Sequence, residues 1–332
     1  MIIPFQALAC PLDGAPLQRH GQAWRCPAGH SFDVAAQGHI HLLPVQQKRS
    51  RDPGDSKEMV AARRRFLEAG HYLPIAQAVG RAVLAGWVPG DPLACLDAGC
   101  GEGYYLRQLA EMAEMAEMAE MAEMAEMAEM AEMAERAGKD EANEANEANE
   151  ANDGAGNAAG RGADGGRRPR DLALLGLDIS KWAVLAAARR DARVAWVVGS
   201  NANLPVLPAA LDRVLCMFGF PVYAEFARVL KPGGELLQVD AGPDHLRELR
   251  EVIYPTLKPP RPPDERDPEG FHRLGSDTLR YTATVEGAGH IADLLAMTPH
   301  LFRASAEGRA RAAALDTLSM TVDVRLTRFA RR

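Results

Sequence analysis

The 332-residue sequence predicts an α/β protein with a doubly wound parallel sheet. Three observations support this fold class. Short apolar runs alternate with stretches of helical pattern along most of the chain. One run, 93–96, leads through Asp97 into a glycine-rich turn, and a helix begins after the turn at Tyr104. A second run, 172–178, again ends in an acid, as strands at the ligand-binding edge of open α/β sheets do.

The remaining elements can be predicted in order. Ahead of the glycine-rich turn, Asp55 or Ser56 can cap one helix, and a second helix runs through about Ala85. Behind the turn, we expect strands at 194–198, 211–218 and 235–240 and helices at 180–190 and 222–230. Two further runs, 280–285 and 322–326, are expected to close the sheet.

The glycine-rich turn has the spacing Asp-x-Gly-x-Gly-x-Gly, from Asp97 to Gly103. This differs from the Gly-x-Gly-x-x-Gly of dinucleotide folds. Glycines let the backbone approach a ligand closely, and the helix N-terminus offers unpaired N–H groups. An acid beside three alternate glycines suits S-adenosylmethionine, whose sulfonium and amino groups are cationic. A plain tight turn is the alternative that these residues alone leave open.

Residues 110–170 form a low-complexity segment. Ala-Glu-Met repeats eight times from Ala110, and Glu-Ala-Asn repeats four times from Glu141. A triplet advances 300° on a helix, so the methionines wind around it and form no stable apolar stripe. Ala, Glu and Met favour helix, whereas the Asn repeats and the glycine-rich stretch after Asp153 are expected to be disordered. We interpret the segment as a repeat expansion, either functionally idle or an acidic interaction arm.

Residues 1–45 have the features of a small metal-binding unit. Structural zinc takes four ligands, usually in two closely spaced pairs. Cys10, Cys26 and His30 supply three ligands, and Asp13 or His20 can supply the fourth. A knuckle that folds without metal is the alternative. Short strands at 32–34 and 39–44 are expected to complete a ribbon. The predicted organisation is this unit, a linker with helices at 46–90, and a main domain at 91–332 that residues 110–170 interrupt.

The net charge of −7 is due to one acidic segment, and the rest of the chain is basic. Residues 110–153 contain thirteen Glu and two Asp against one Arg and one Lys, so the rest of the chain carries +6. A basic surface permits a polyanionic partner such as RNA. Candidate phosphate contacts are Lys48, Arg49, Arg51, Arg63 and Arg64; a solvated helix face is the alternative interpretation.

The cysteine pattern and hydropathy indicate a cytoplasmic protein. Five scattered cysteines, an odd number, do not suggest a disulfide framework. No stretch resembles a signal peptide, and no apolar run is long enough to span a bilayer.

The motifs in combination resemble those of class I S-adenosylmethionine-dependent methyltransferases. The resemblance rests on the glycine-rich turn, Asp178, Asn203-Leu204-Pro205 and Leu230-Lys231-Pro232-Gly233-Gly234. It implies a Rossmann-like, seven-stranded sheet. Several local stretches are similar, more narrowly, to the bacterial 23S ribosomal RNA guanine-N1 methyltransferases: 26–33, 42–46, 48–56, 69–72, 99–105 and 242–246.

The narrower resemblance implies a site for each ligand. In that family an N-terminal zinc-ribbon-like domain helps to recognise an RNA hairpin. The resemblance implies Cys10, Cys26 and His30 as zinc ligands in this chain, and Asp13 stands where the family has cysteine. The implied cofactor-binding residues are Tyr72, Gly101, Glu102 and His245, joined by Asp97, Gly99, Gly103 and Asp178 from the general pattern. The reaction would be in-line displacement by an unpaired guanine N1 on the sulfonium methyl group. The sequence assigns no catalytic residue.

Two other functions compete with RNA methylation. A small-molecule methyltransferase would explain the glycine-rich turn but neither residues 10–30 nor the basic residues between 48 and 65. A non-catalytic RNA-binding protein could have lost turnover through the insertion. The partner implied by the resemblance is 23S ribosomal RNA, with no membrane partner, and a homodimer is left open beside a monomer.

Overall fold

The computed structural model has one large mixed sheet with helices on its faces, and it describes residues 1–47, 50, 52–87, 92–147, 172–259 and 266–332. Met1–Ala110 and Arg170–Arg332 together form one compact unit, and Glu111–Pro169 forms a second. The expected boundaries at residues 45 and 90 stay a prediction.

Most strands and the helices up to residue 230 follow the sequence pattern, whereas the strands at 2–4, 18–20 and 23–25 and the helices after residue 246 were not predicted. The described strands are β1 Ile2–Pro4, β2 Gln18–His20, β3 Ala23–Arg25, β4 Ser31–Asp33, β5 Ile40–His41, β6 Leu93–Ala98, β7 Leu172–Asp178, β8 Ala195–Val198, β9 Leu211–Met217, β10 Leu230–Ala241, β11 Phe271–Glu286 and β12 Thr317–Arg331. The described helices are α1 Lys57–Glu68, α2 Leu73–Leu84, α3 Tyr104–Glu147, α4 Lys181–Ala188, α5 Tyr223–Val229, α6 Arg247–Ile253, α7 Ala288–Ala296, α8 His300–Arg303 and α9 Ala306–Ala313. Ser56 caps α1, since its side chain accepts the Met59 N–H at 3.3 Å.

Strand order confirms the predicted sheet. Within the described residues, nine strands form one sheet in the order β11-β12-β10-β9-β6-β7-β8-β5, and β1 pairs with the first half of β7. The strands from β6 to β10 run parallel, whereas β12 is antiparallel to both β10 and β11. The seven expected strands are therefore present. The chain reverses its direction of winding at β6, and open α/β sheets bind ligands in a crevice at such a point, here the carboxyl ends of β6, β7 and β9.

One predicted ribbon strand also joins the large sheet. The ribbon sheet consists of β2, β3 and β4 within the described residues, whereas β5 pairs in parallel with β8. Ile40 forms an antiparallel bridge to Val34 as well, so residues 40–41 connect the end of the ribbon to the large sheet, which was not predicted. Ile40 is buried against the sheet and lies opposite Val197. Without β5, the backbone groups along the outer edge of β8 would be unpaired, and covering that edge stabilises the sheet.

Helix α3 extends the glycine-turn helix far into the repeats. From Met115 to Met133 every third residue is a methionine that is 38–65% exposed, which confirms that the repeat forms no apolar stripe. The helix continues to Glu147, so the prediction of disorder was wrong for residues 141–147. Elongating an existing helix adds one hydrogen bond per ordered residue, which is easier than nucleating a new one. The rest of the Asn repeat and the glycine-rich stretch lie outside the described residues.

Removing most of the repeat should leave the compact unit intact. We expect replacement of residues 119–168 by a short Gly-Ser linker to shift the thermal midpoint by no more than about 2 °C, because the methionines from Met121 to Met133 are exposed and exposed side chains contribute little stability. Calorimetry of the two purified proteins measures the shift. A large loss of stability would show that the repeats contribute buried contacts.

Close packing requires glycine at one position of the turn. Gly103 has φ +82°, and a Cβ there would overlap the buried Trp196 ring and lie 3.1 Å from the Ala187 Cβ. We expect Gly103→Ala to reduce the free energy of unfolding by about 2–4 kcal/mol, from left-handed strain and overpacking together. Gly101→Ala is the matched control: its φ is +55°, but its Cβ would meet only Arg63 at ordinary distances. The free energy of unfolding of that variant, measured by denaturant titration, should fall by only about 1 kcal/mol. If both variants lost the same free energy of unfolding, overpacking against Trp196 would be excluded as a cause.

Candidate cofactor cleft and metal centre

The glycine-rich turn is tied to the end of β7. The N–H groups of Gly99 and Cys100 both donate to the Leu177 carbonyl, at 2.8 and 3.0 Å. Asp178 then braces the turn from the same strand. Its Oδ2 accepts the Gly101 N–H at 2.9 Å, and its Oδ1 accepts the Ser180 N–H at 2.7 Å. Burial raises the pKa of Asp178. The two strand ends are thus joined through one carboxylate.

Two further buried acids lie at this edge. In the described part of the chain, Asp97 has no hydrogen-bond partner. Glu102 has one unpartnered oxygen there but lies near the charges of Arg63, Arg107 and Arg190. Asp97 is fully buried, and among the described residues nothing hydrogen-bonds to either of its carboxylate oxygens. The same is true of Glu102 Oε1. Burial raises the pKa of Asp97 to about 8, and the charges of Asp178 and Glu102 add to this shift. Burial also raises the pKa of Glu102. A cationic ligand would stabilise the charged form of such unpaired acids.

A tyrosine and a histidine distant in the sequence meet at the same edge. Tyr72 Oη lies 3.1 Å from His245 Nε2, although the residues are 173 positions apart. His245 Nδ1 accepts the Asp323 N–H at 3.3 Å, and burial lowers the pKa of His245 to about 4. The neutral ring therefore carries its proton on Nε2, which donates to Tyr72. The Tyr72 hydroxyl hydrogen is left to donate to a ligand.

The sequence analysis missed one residue of the crevice, Asn201. Its Nδ2 donates to the Ala98 carbonyl at 3.1 Å, whereas its Oδ1 is buried and accepts no hydrogen bond from the described residues. Asn201 follows β8, so it lies at the carboxyl edge of the sheet. Its position in the polar run after the third parallel strand was the signal that could have identified it.

Two of the five predicted RNA-binding residues lie in the described part of the structure. The Arg63 guanidinium forms an ion pair with Asp55 and lies against the glycine-rich turn, so the structure places it at the crevice. Arg64 is half-buried on α1. Lys48, Arg49 and Arg51 lie outside the described residues. The RNA-binding role of all five stays a prediction.

The crevice fits S-adenosylmethionine. The unpartnered carboxylates of Asp97 and Glu102 are complementary to its cationic groups. The Asn201 amide oxygen can accept a hydrogen bond from an amino group, and Tyr72 can donate one to a carboxylate. Gly99 has positive φ and open space where a side chain would stand, so it lets the backbone approach the ligand, whereas Gly103 makes room for Trp196.

The four predicted metal ligands converge on one point. The potential ligand atoms of Cys10, Asp13, Cys26 and His30 all lie within 4.8 Å of one another. His30 Nδ1 is 3.0 Å from Asp13 Oδ2 and 3.3 and 3.5 Å from the sulfurs of Cys26 and Cys10. The edges of a tetrahedron around zinc with these ligands are about 3.2–3.8 Å, from ordinary bond lengths. The donor set fits a structural zinc ion, and Asp13 is the residue that lies with Cys10, Cys26 and His30, whereas His20 is exposed on β2.

The metal centre is anchored beside the cofactor crevice. The Ala9 N–H donates to the Pro205 carbonyl, and the Leu207 N–H donates to the Ala7 carbonyl, each at 3.0 Å. Asn203 Nδ2 adds a bond to the Pro11 carbonyl at 3.4 Å. These bonds attach the first knuckle to the loop between β8 and β9, the same loop that carries Asn201. The position of the ribbon is therefore fixed relative to the crevice.

Comparison with known proteins agrees with both sites. A family model described as RlmA, N-terminal, a zinc ribbon, matches residues 8–51. A Micromonospora griseorubida protein assigned as a 23S rRNA (guanine-N(1)-)-methyltransferase is 30% identical over 97% of this chain and 96% of its own length. This chain belongs to the 23S rRNA guanine-N1 methyltransferase family. The 23S rRNA (guanine(748)-N(1))-methyltransferase of Streptomyces fradiae is 28% identical over 84% of this chain and 80% of its own. The Bacillus subtilis protein YxjB, assigned as a 23S rRNA (guanine-N(1)-)-methyltransferase, is 26% identical over 97% of this chain and 96% of its own.

Asp13 contributes a carboxylate oxygen to a cluster whose other members are two thiols and an imidazole. Zinc binds thiolate more strongly than carboxylate, because it is a borderline-soft ion. We expect Asp13→Cys to raise zinc affinity at least about tenfold, which competition against a chelator measures. Asp13→Ala should instead weaken it. Tighter binding by the alanine variant would show that Asp13 is not a ligand.

The family member contains no membrane-crossing helix in its described part, since no helix there combines sufficient length with sufficient apolarity.

Proposed function

We propose that this protein transfers the methyl group of S-adenosylmethionine to N1 of a guanine in a hairpin of 23S ribosomal RNA. The observation that carries the proposal is a crevice of unpartnered acids beside a four-ligand metal centre, in one compact unit. The family relationship over nearly the whole chain supports both parts together.

Each side chain of the crevice then has a defined task. When bound, S-adenosylmethionine supplies an activated methyl group on its sulfonium. Asp97 and Glu102 offer their unpartnered oxygens to its cationic groups, and Asp178 holds the turn against β7. His245 orients Tyr72 by donating from Nε2, so the phenol can donate in turn to the ligand. We assign no general base, and alignment of the reacting atoms should supply most of the rate enhancement.

The zinc ribbon supplies the contact to RNA in this proposal. Because it is attached to the loop that carries Asn201, an RNA hairpin held by the ribbon would lie at a fixed distance from the crevice. The basic residues predicted from the sequence would contact phosphates around it. We place the reaction in the cytoplasm, on the protein as a monomer or a homodimer, and analytical ultracentrifugation distinguishes these two states.

The test is methyl transfer from labelled S-adenosylmethionine to unmethylated 23S ribosomal RNA, followed by nucleoside analysis. A 1-methylguanosine product in one hairpin is the expected result. Methylation of another nucleoside would change the proposed acceptor. No incorporation, with cofactor binding intact, would favour a small-molecule acceptor or an RNA-binding protein without turnover. A steep fall of RNA affinity with rising salt would then favour the RNA-binding protein.

A further inference from the structure

Two phenylalanines are exposed immediately after β9, beside the cofactor crevice. Phe218 is 38% exposed and Phe220 is 91% exposed. Between them, Gly219 packs closely: a Cβ there would lie 3.3 Å from Cys216 Sγ and 4.0 Å from the Ala98 carbonyl oxygen. The chain therefore passes directly beside the end of β6, where the glycine-rich turn begins.

Phe218 is held in a backbone conformation that bulky residues rarely adopt. Its φ is +53°, and its N–H donates to the Val239 carbonyl at 2.8 Å. Among the described residues, three that are not glycine have positive φ, and two of these three adjoin His245. Phe218 stacks on the His245 ring, and Leu246 follows His245 in the chain. Such strain persists only where the surrounding structure fixes it, and it is concentrated at functional sites.

The Phe218 ring belongs to a cluster that includes two cofactor-site side chains. It stacks on His245 with ring centroids 5.7 Å apart and planes 27° apart. Its centroid is 6.2 Å from that of Tyr72, and the Tyr72 and His245 centroids are 6.0 Å apart. Tyr72 is buried, whereas Phe218 is the partly exposed member. The cluster thus carries an aromatic surface from the crevice outward to solvent, and Phe220 follows two residues later with its ring almost wholly exposed.

We propose that Phe218 and Phe220 form a stacking platform for the guanine that is methylated. Guanine N1 lies on the base-pairing edge, so the base has to leave its stack before N1 can be reached. An extruded base loses its stacking partners, and an aromatic side chain can replace them because every base has a π face. A platform at the mouth of the methyl-donor site is where such a base is needed. This inference rests on the proposed function.

The decisive comparison separates aromatic stacking from exposed apolar surface. Phe220→Ala and Phe220→Leu should each lower kcat/KM for unmethylated 23S ribosomal RNA about 10- to 100-fold. Phe220→Tyr should retain activity close to that of the unchanged protein. Phe218→Ala should show a loss similar to that of Phe220→Ala. The dissociation constant for S-adenosylmethionine should change less than about twofold in the Phe220 variants, since Phe220 is almost wholly exposed.

Phe302→Ala is the matched control, because Phe302 is also a strongly exposed phenylalanine, 72% exposed on α8. It should leave kcat/KM unchanged at the same salt concentration. Full activity of Phe220→Leu would overturn the platform, as would full activity of both alanine variants. An unchanged protein that methylates no guanine would overturn the proposed function, and the platform with it. An active unchanged protein with equally active variants would overturn the platform alone.

Discussion

Asp97→Asn should weaken binding of S-adenosylmethionine about 10- to 100-fold while stabilising the ligand-free protein at neutral and alkaline pH. The carboxylate is fully buried and has no hydrogen-bond partner among the described residues. A charged hydrogen bond is worth about 1.5–3 kcal/mol, which sets the size of the expected loss. The amide is neutral, so it can remain in the crevice without the cost of ionisation. Isothermal titration calorimetry measures the binding, and denaturant titration measures the stability.

The pH dependence of stability provides a second measurement on Asp97. The ordinary pKa is 3.8, and burial raises it to about 8 in the folded protein. A raised folded-state pKa contributes stability that is fully present below about pH 4 and is lost as the pH rises toward 8. The ligand-free protein should therefore lose more stability than Asp97→Asn across this window.

The exposed Asp277 on β11 provides the control for the Asp97 variant. Asp277→Asn should leave both cofactor affinity and the pH dependence of stability unchanged. If Asp97→Asn bound the cofactor as tightly as the unchanged protein, Asp97 would not be part of its site. If the two proteins lost stability in parallel between pH 4 and pH 8, the buried acid would not be the source of the pH dependence.

Cys26→Ser should remove zinc from the protein and with it RNA methylation. The sulfur of Cys26 is buried and lies 3.3 Å from both Asp13 Oδ2 and His30 Nδ1, so it occupies one vertex of the ligand set. Structural zinc contributes about 10–16 kcal/mol of apparent binding free energy in small domains, and a hydroxyl cannot replace a thiolate. Zinc content after dialysis should fall from one equivalent to less than about a tenth, as mass spectrometry of the metal shows.

The consequences of Cys26→Ser should remain local to the ribbon. Hydrogen exchange should accelerate in β2, β3 and β4, while affinity for S-adenosylmethionine changes little, since the crevice is built by other residues. His20→Ala is the matched control, because His20 lies on β2 but outside the ligand cluster. It should retain one equivalent of zinc. Loss of zinc from His20→Ala, or its retention by Cys26→Ser, would contradict the assigned ligands.

Local pattern was sufficient for most of the elements. The strands β6 to β10 and the helices between them follow from short apolar runs, glycines and capping residues, which act over a few positions. The convergence of Cys10, Cys26 and His30 was also predictable, since closely spaced ligand residues are a feature of zinc ribbons. The pairing of residues 40–41 with β8 was not predictable, because an edge strand can pair with any open edge and that choice depends on the rest of the sheet.

The sequence by itself determined the class of fold, the cofactor turn and three metal ligands, because each depends on residues near one another in the chain. Only the tertiary structure decided that Asp13 rather than His20 lies in the cluster with the other candidate ligands, and that Arg63 lies against the glycine-rich turn. It also decided that Asn201 and Phe218 border the crevice, and that Tyr72 meets His245 across 173 positions. The physical reason is that such meetings are fixed by strand order and by the packing of distant segments, which no local periodicity contains.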